Sequence, residues 1–144
     1  MQGFKCRWIK RFGGFGRLTR KTPCEERNGT TACNDAILPC NNLDASEAFY
    51  KRLGFELKNQ YPDYRLLADG KGAELHLTKA VEDWLVPGRN PFGLYLYTDR
   101  VDELAAAMGS AVLQPPEKKP WGMYEFAVSD PDETLVRVGK PAAE

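Results

Sequence analysis

The sequence predicts an α+β fold: two tandem βαβββ modules whose curved mixed sheets surround a concave cleft. Three observations predict it. A strand, a helical stretch and three further strand-like runs occur twice in the same order. A Pro/Gly/Asn-rich linker over residues 79–92 separates the two copies. Shifting the chain by 58 residues lays Leu43-Asp44 on Val101-Asp102, each leading into a helix. At 144 residues the chain is long enough for one compact domain and a tail.

The first module opens on residues 36–41, a short strand in which Pro39 marks an edge or a strand end. Asp44-Ala-Ser-Glu47 has the form of a capping box. The helix it begins places Ala45, Ala48, Phe49 and Leu53 on one apolar face, and Gly54 stops it. Strands are predicted at Phe55–Tyr61, Tyr64–Ala68 and Ala73–Thr78, with Asp69-Gly70-Lys71-Gly72 turning between the last two. In the second module Gly93–Thr98 is a strand with alternating aromatics. Asp99 caps a helix with Val101, Leu104, Ala105 and Met108 inward, and Gly109 ends it. Strands follow at Ala111–Leu113, Tyr124–Val128 and Thr134–Val138, with Asp130-Pro131-Asp132-Glu133 as the last turn. Helices and sheet backs form the core, which leaves the concave side free for a ligand.

Composition narrows the classes of function. The chain is 42% hydrophobic and 28% charged, as globular domains are. No apolar run approaches the ~20 residues that cross a bilayer, so no membrane partner is expected. Twenty Lys/Arg balance twenty Asp/Glu, but unevenly. Residues 1–33 hold eight basic and two acidic residues, +6, which leaves −6 for the remainder. Residues 1–34 therefore read as a basic, disordered extension ahead of a domain at 35–140, with modules at 35–78 and 93–138 and a short tail at 141–144. Three roles fit the extension: a passive tail, an arm for anionic surfaces such as single-stranded nucleic acid, or a targeting sequence. Of the four cysteines, Cys6, Cys24 and Cys33 lie in it and only Cys40 in the domain. No CxxC occurs and His76 is the only histidine, so neither a zinc cluster nor a disulfide framework is expected. Free thiols suit the cytoplasm. No GxSxG occurs, and no cysteine has an activating neighbour in sequence. His76 with Glu74 or Asp35 is the one acid–base pairing that suits a metal-free lyase or isomerase.

Leu38-Pro39-Cys40-Asn41-Asn42-Leu43-Asp44, followed by Ala48-Phe49-Tyr50-Lys51-Arg52-Leu53-Gly54-Phe55, resembles the opening of the vicinal-oxygen-chelate superfamily. That superfamily includes glyoxalase I, extradiol dioxygenases, fosfomycin-resistance transferases and bleomycin-resistance proteins. Ala73-Glu74-Leu75-His76-Leu77 resembles the end of its first module. Residues 120–132, Pro-Trp-Gly-Met-Tyr-Glu-Phe-Ala-Val-Ser-Asp-Pro-Asp, with Leu135-Val136-Arg137, resemble the closing segment of the bleomycin-resistance branch. Glu133 departs from the pattern, since the family turns on Gly there.

The resemblance implies a metal test. Superfamily enzymes hold a divalent ion through three or four His, Glu or Gln side chains, one from each of four strands. Those positions carry over to Asp35, His76, Gly93 and Arg137. Gly93 has no side chain, and Arg137 is a fixed cation without an acceptor. The resemblance thus implies no metal and no other cofactor. It implies a homodimer that sequesters a small molecule, such as a glycopeptide antibiotic of the bleomycin type. The alternative is a glyoxalase-like divalent-metal enzyme: a lyase, isomerase or transferase.

The residues expected to bind the ligand are Asp35, His76, Tyr95, Tyr97, Trp121, Tyr124, Glu125 and Arg137. Aromatic faces offer apolar contact and cation–π attraction, and the −6 domain favours a cationic guest. Most of these residues have a plainer role beside this one. Tyr95 and Tyr97 suit a core, Trp121 a loop anchor, His76 a satisfied cavity histidine and Asp35 a strand end. Arg137 suits a bridge to Glu125 or Glu74, or else the anionic group of a guest.

Overall fold

The computed structural model describes residues 35–143. The basic segment, with Cys6, Cys24 and Cys33 and every role considered for it, lies outside the described residues. Two four-stranded mixed sheets and two helices make up the rest. In the first module β1 (Ala36–Cys40) leads to α1 (Leu43–Arg52), then β2 (Glu56–Tyr61), β3 (Tyr64–Ala68) and β4 (Glu74–Lys79). In the second, β5 (Gly93–Tyr97) leads to α2 (Val101–Met108), a 3-10 turn, β6 (Val112–Lys118), β7 (Met123–Ser129) and β8 (Leu135–Pro141). The sheet orders are β1-β4-β3-β2 and β5-β8-β7-β6. In each, the first strand runs parallel to the last at an edge and the other pairs are antiparallel. The helices begin at Leu43 and Val101, in the expected 58-residue register.

Buried residues of both modules join in one hydrophobic cluster, from Leu38, Tyr50 and Leu77 to Met108, Phe126 and Val138. Tyr50 is fully buried. Its ring meets Phe49 and Phe55 edge-on, with centroids 5.1 and 6.3 Å away. Its hydroxyl donates to Asp130 Oδ2 across the modules at 3.0 Å. Arg52, at the end of α1, donates to the terminal carbonyls of α2 at Ala107 (3.1 Å) and Met108 (2.8 Å).

Several local expectations are corrected. The α1 cap is Asn42, whose side chain accepts from the amides of Asp44 and Ala45. Asp44 and Glu47 instead hold Arg65, a buried guanidinium that both carboxylates reach at 3.2 Å. The inward face of α1 is Ser46, Phe49 and Tyr50, and Ala48 is exposed. Helix α2 has Arg100, not Asp99, at its cap, with no side-chain capping bond. Strand β6 runs to Lys118, well past the expected Leu113. Pro115 and Pro116 disguise it, but β6 is an edge strand whose register with β7 shifts twice, where missing amides are tolerated. Pro39 sits on the edge strand β1, as expected.

The linker is pinned to the β7–β8 turn. Asn90 Nδ2 donates to Asp132 O (2.7 Å) and Thr134 Oγ1 (3.0 Å), and Gly88 N donates to the Glu133 carboxylate. Glu133 has φ 64°, the left-handed region that favours glycine. Its bond to Gly88 offsets strain of about 1–2 kcal/mol.

Candidate ligand-binding site

Strand alternation sends residues 93, 95 and 97 of β5 to the face of the second sheet opposite the helix. Registered neighbours share that face, so Arg137 of β8 stands beside Tyr95, and Glu125 of β7 beside Gly139. Glu125 is the centre of the cluster. Its side chain is 1% exposed. Oε1 accepts from Arg137 Nη1 at 2.6 Å, and Oε2 accepts from Tyr95 Oη at 2.7 Å and Trp121 Nε1 at 3.3 Å. Burial alone pushes this carboxyl up. The bonds from Tyr95, Arg137 and Trp121, with the guanidinium charge, outweigh burial and hold it below the usual carboxylate range. Burial and the bond to Glu125 hold the Tyr95 phenol above its ordinary value.

Around this buried carboxylate lies exposed aromatic surface. Tyr97 is 74% exposed and Trp121 59%. The Tyr95 and Tyr97 rings are 4.6 Å apart, and Arg137 Cζ lies 5.8 Å from the Trp121 centroid. The two tyrosines also wall a groove of about 700 Å³ that reaches Phe55 and Ala73 of the first module. That is ample for a small molecule.

Asp35, Glu74 and His76 form a second cluster, on the first sheet. One ligand atom from each lies within 4.8 Å of the others. Tyr64 Oη and His76 Nδ1 are hydrogen-bonded at 2.8 Å. Glu74 was open to inference, because residues 74 and 76 of a strand share a face. Tyr124, expected beside Glu125, lies on the opposite face of β7. It packs against the core, and its hydroxyl donates to Asp102 at 2.6 Å. Of the eight expected residues, the fold gathers Tyr95, Tyr97, Trp121, Glu125 and Arg137 on one sheet and Asp35 with His76 on the other.

The superfamily's metal positions can now be judged on these residues. The β5 position, Gly93, offers no donor atom, and the β8 position is a cation bonded to Glu125. The four-strand ligand set does not fit. The first sheet alone offers three donors.

Paired βαβββ modules, each a four-stranded mixed sheet with one helix, define a two-module class of fold. The sequence model of the Glyoxalase/Bleomycin resistance protein/Dioxygenase superfamily matches residues 32–138, and the chain belongs to that superfamily. A bleomycin-binding protein solved in complex with bleomycin is 27% identical, with a TM-score of 0.63 over 76% of this chain and 98% of that one. A bleomycin resistance determinant encoded on the transposon Tn5 is 26% identical, with a TM-score of 0.65 over 78% and 100%. A lactoylglutathione lyase from Agrobacterium tumefaciens is 25% identical, with a TM-score of 0.59 over 78% and 96%. Comparison with curated proteins gave no significant match. No helix among the described residues is long and apolar enough to cross a membrane.

Proposed function

We propose that the protein sequesters a small molecule in the manner of bleomycin-resistance proteins, as a cytoplasmic homodimer without a metal of its own. The observation that carries this reading is the second-module wall. Where the superfamily's enzymes place metal ligands, this chain has Gly93 and an Arg137–Glu125 ion pair. What the wall offers instead is rigid aromatic surface, with Tyr95 and Trp121 both anchored on Glu125. Ile37 and Leu135 are exposed on the open sheet faces, apolar surface of the kind a second copy covers. The buried free thiol of Cys40, pushed up to about 11 chiefly by burial, suits a reducing compartment.

A glycopeptide antibiotic of the bleomycin type is the first guest to test, with antibiotic resistance as the biological consequence. The full chain carrying Trp8→Phe and Trp84→Phe leaves Trp121 as the only indole. Metal-free bleomycin is expected to quench it saturably. The same titration followed by calorimetry is expected to lose its heat in Trp121→Ala. No binding at high micromolar drug would discard bleomycin as the guest.

One observation favours a second reading, a divalent-metal enzyme: the Asp35, Glu74 and His76 donors lie close together. Native mass spectrometry of the dialysed protein separates the two. A metal-free dimer is expected. One retained divalent ion per chain, lost in His76→Ala, would favour the enzyme, and a monomer would remove the homodimer.

A further inference from the structure

We propose that the open wall of the second module selects a planar aromatic anion. Its charge is held by the outward side of the Arg137 guanidinium while its ring stacks on Trp121. This rests on the sequestration reading and not on bleomycin as the guest: an anionic guest class stands against a cationic drug of that type.

The ion pair at the centre of the wall is asymmetric. Glu125 is shut away, whereas the Arg137 side chain is 31% exposed, so the pair shows its cation to solvent on the open face of the sheet. Both Glu125 oxygens are already occupied, one by Arg137 and one by Tyr95 and Trp121. That carboxylate is therefore no counterion for a cationic guest. Arg137 has donors to spare. A guanidinium carries five N–H groups, and among the described residues only Glu125 accepts a hydrogen bond from it, through Nη1. A second carboxylate or sulfonate can take the remaining fork.

The aromatic partner sits beside it. The indole N–H of Trp121 is tied to Glu125, which fixes the ring, and most of the ring remains exposed. Two cations lie near its centroid, Arg137 at 5.8 Å and Lys119 Nζ at 6.0 Å. A cationic guest on this ring meets both, whereas an anionic one is drawn to them. Lys119 is itself paired with Glu117, so that pair is neutral and the guest's charge is left to Arg137. The −6 charge of residues 34–144 acts from further away and is screened beyond about 8 Å at physiological salt, so Arg137 decides the preference.

Calorimetric titration of the full chain with 2-naphthoate, 2-naphthylmethylammonium and neutral 2-naphthamide tests this. One charge-assisted contact predicts that naphthoate binds about tenfold tighter than the ammonium probe. Arg137→Gln alone would strand a buried carboxylate, so the comparison variant is Glu125→Gln/Arg137→Gln. It is expected to lose the preference for naphthoate, the ratio of naphthoate to naphthamide affinity falling to about one. Equal or tighter binding of the ammonium probe by the wild type would overturn the anion assignment and leave sequestration standing. A preference that survives in the double variant would overturn the role of Arg137. Failure of all three probes to bind at millimolar concentration would overturn this proposal, and the bleomycin titration would then decide the sequestration reading by itself.

Discussion

Arg137→Ala is expected to lower stability by about 3 kcal/mol at neutral pH and by much less in acid. The magnitude is that of breaking a buried ion pair, taken at its low end because the guanidinium is half-buried rather than enclosed. The pH dependence follows from Glu125. In the wild type its folded carboxyl lies below the unfolded value of about 4.3. Its stabilising contribution is thus present above that value and is lost as the pH falls through the folded pKa. Without the guanidinium, Tyr95 and Trp121 still donate but carry no charge. Burial is then offset less, so the carboxyl lies higher in the variant than in the wild type. The variant therefore gains less stability than the wild type as the pH climbs from about 3 to about 7. Urea unfolding of both proteins at pH about 3 and about 7 measures this. An equal gap at both pH values would mean that Arg137 acts through packing, not charge.

The residues at this wall also show which parts of the architecture can be read without coordinates. The two βαβββ repeats were legible because apolar period and Gly/Pro punctuation are local. Residues 64–68 formed the expected strand, and β2 and β4 differed from expectation by a residue at one or both ends. The α1 cap was not legible in the same way. Asn42 and Asp44 cap equally well, and the choice is made by Arg65, whose burial draws Asp44 and Glu47 away. Neighbouring residues of one strand also cannot both face a cleft, so Glu125 excludes Tyr124. The same parity admits Glu74 beside His76, which a one-ligand-per-strand carry-over passes over. The Arg137–Glu125 bridge was one of two pairings open to inference, and only the β7–β8 register decides it.

Gly139→Ala is expected to cost about 2–3 kcal/mol and to dismantle the wall from beneath. Gly139 lies beside Glu125 in register, on the face that carries Tyr95 and Arg137. A Cβ built there would meet Tyr95 Oη at 2.5 Å, Glu125 Cβ at 2.6 Å and Tyr124 O at 2.9 Å. The tyrosine hydroxyl can swing away, but the other two atoms belong to the body of β7. Relief therefore needs either a shift of the β7–β8 pair or loss of the bond from Tyr95 to Glu125. In the second case Tyr95 is released from its anchor, and ligand affinity falls together with stability. Gly93 is the control on the same face, because a Cβ there meets only Leu135 O, at an ordinary 3.7 Å. Gly93→Ala is expected to change stability by less than about 0.5 kcal/mol. Thermal and urea unfolding of the two variants, with naphthoate calorimetry on each, separates the effects. Equal tolerance of both substitutions would mean that the wall yields under Gly139. A wall that yields there does not hold Tyr95 and Trp121 rigid, and the preorganised aromatic surface on which sequestration rests would be lost with it.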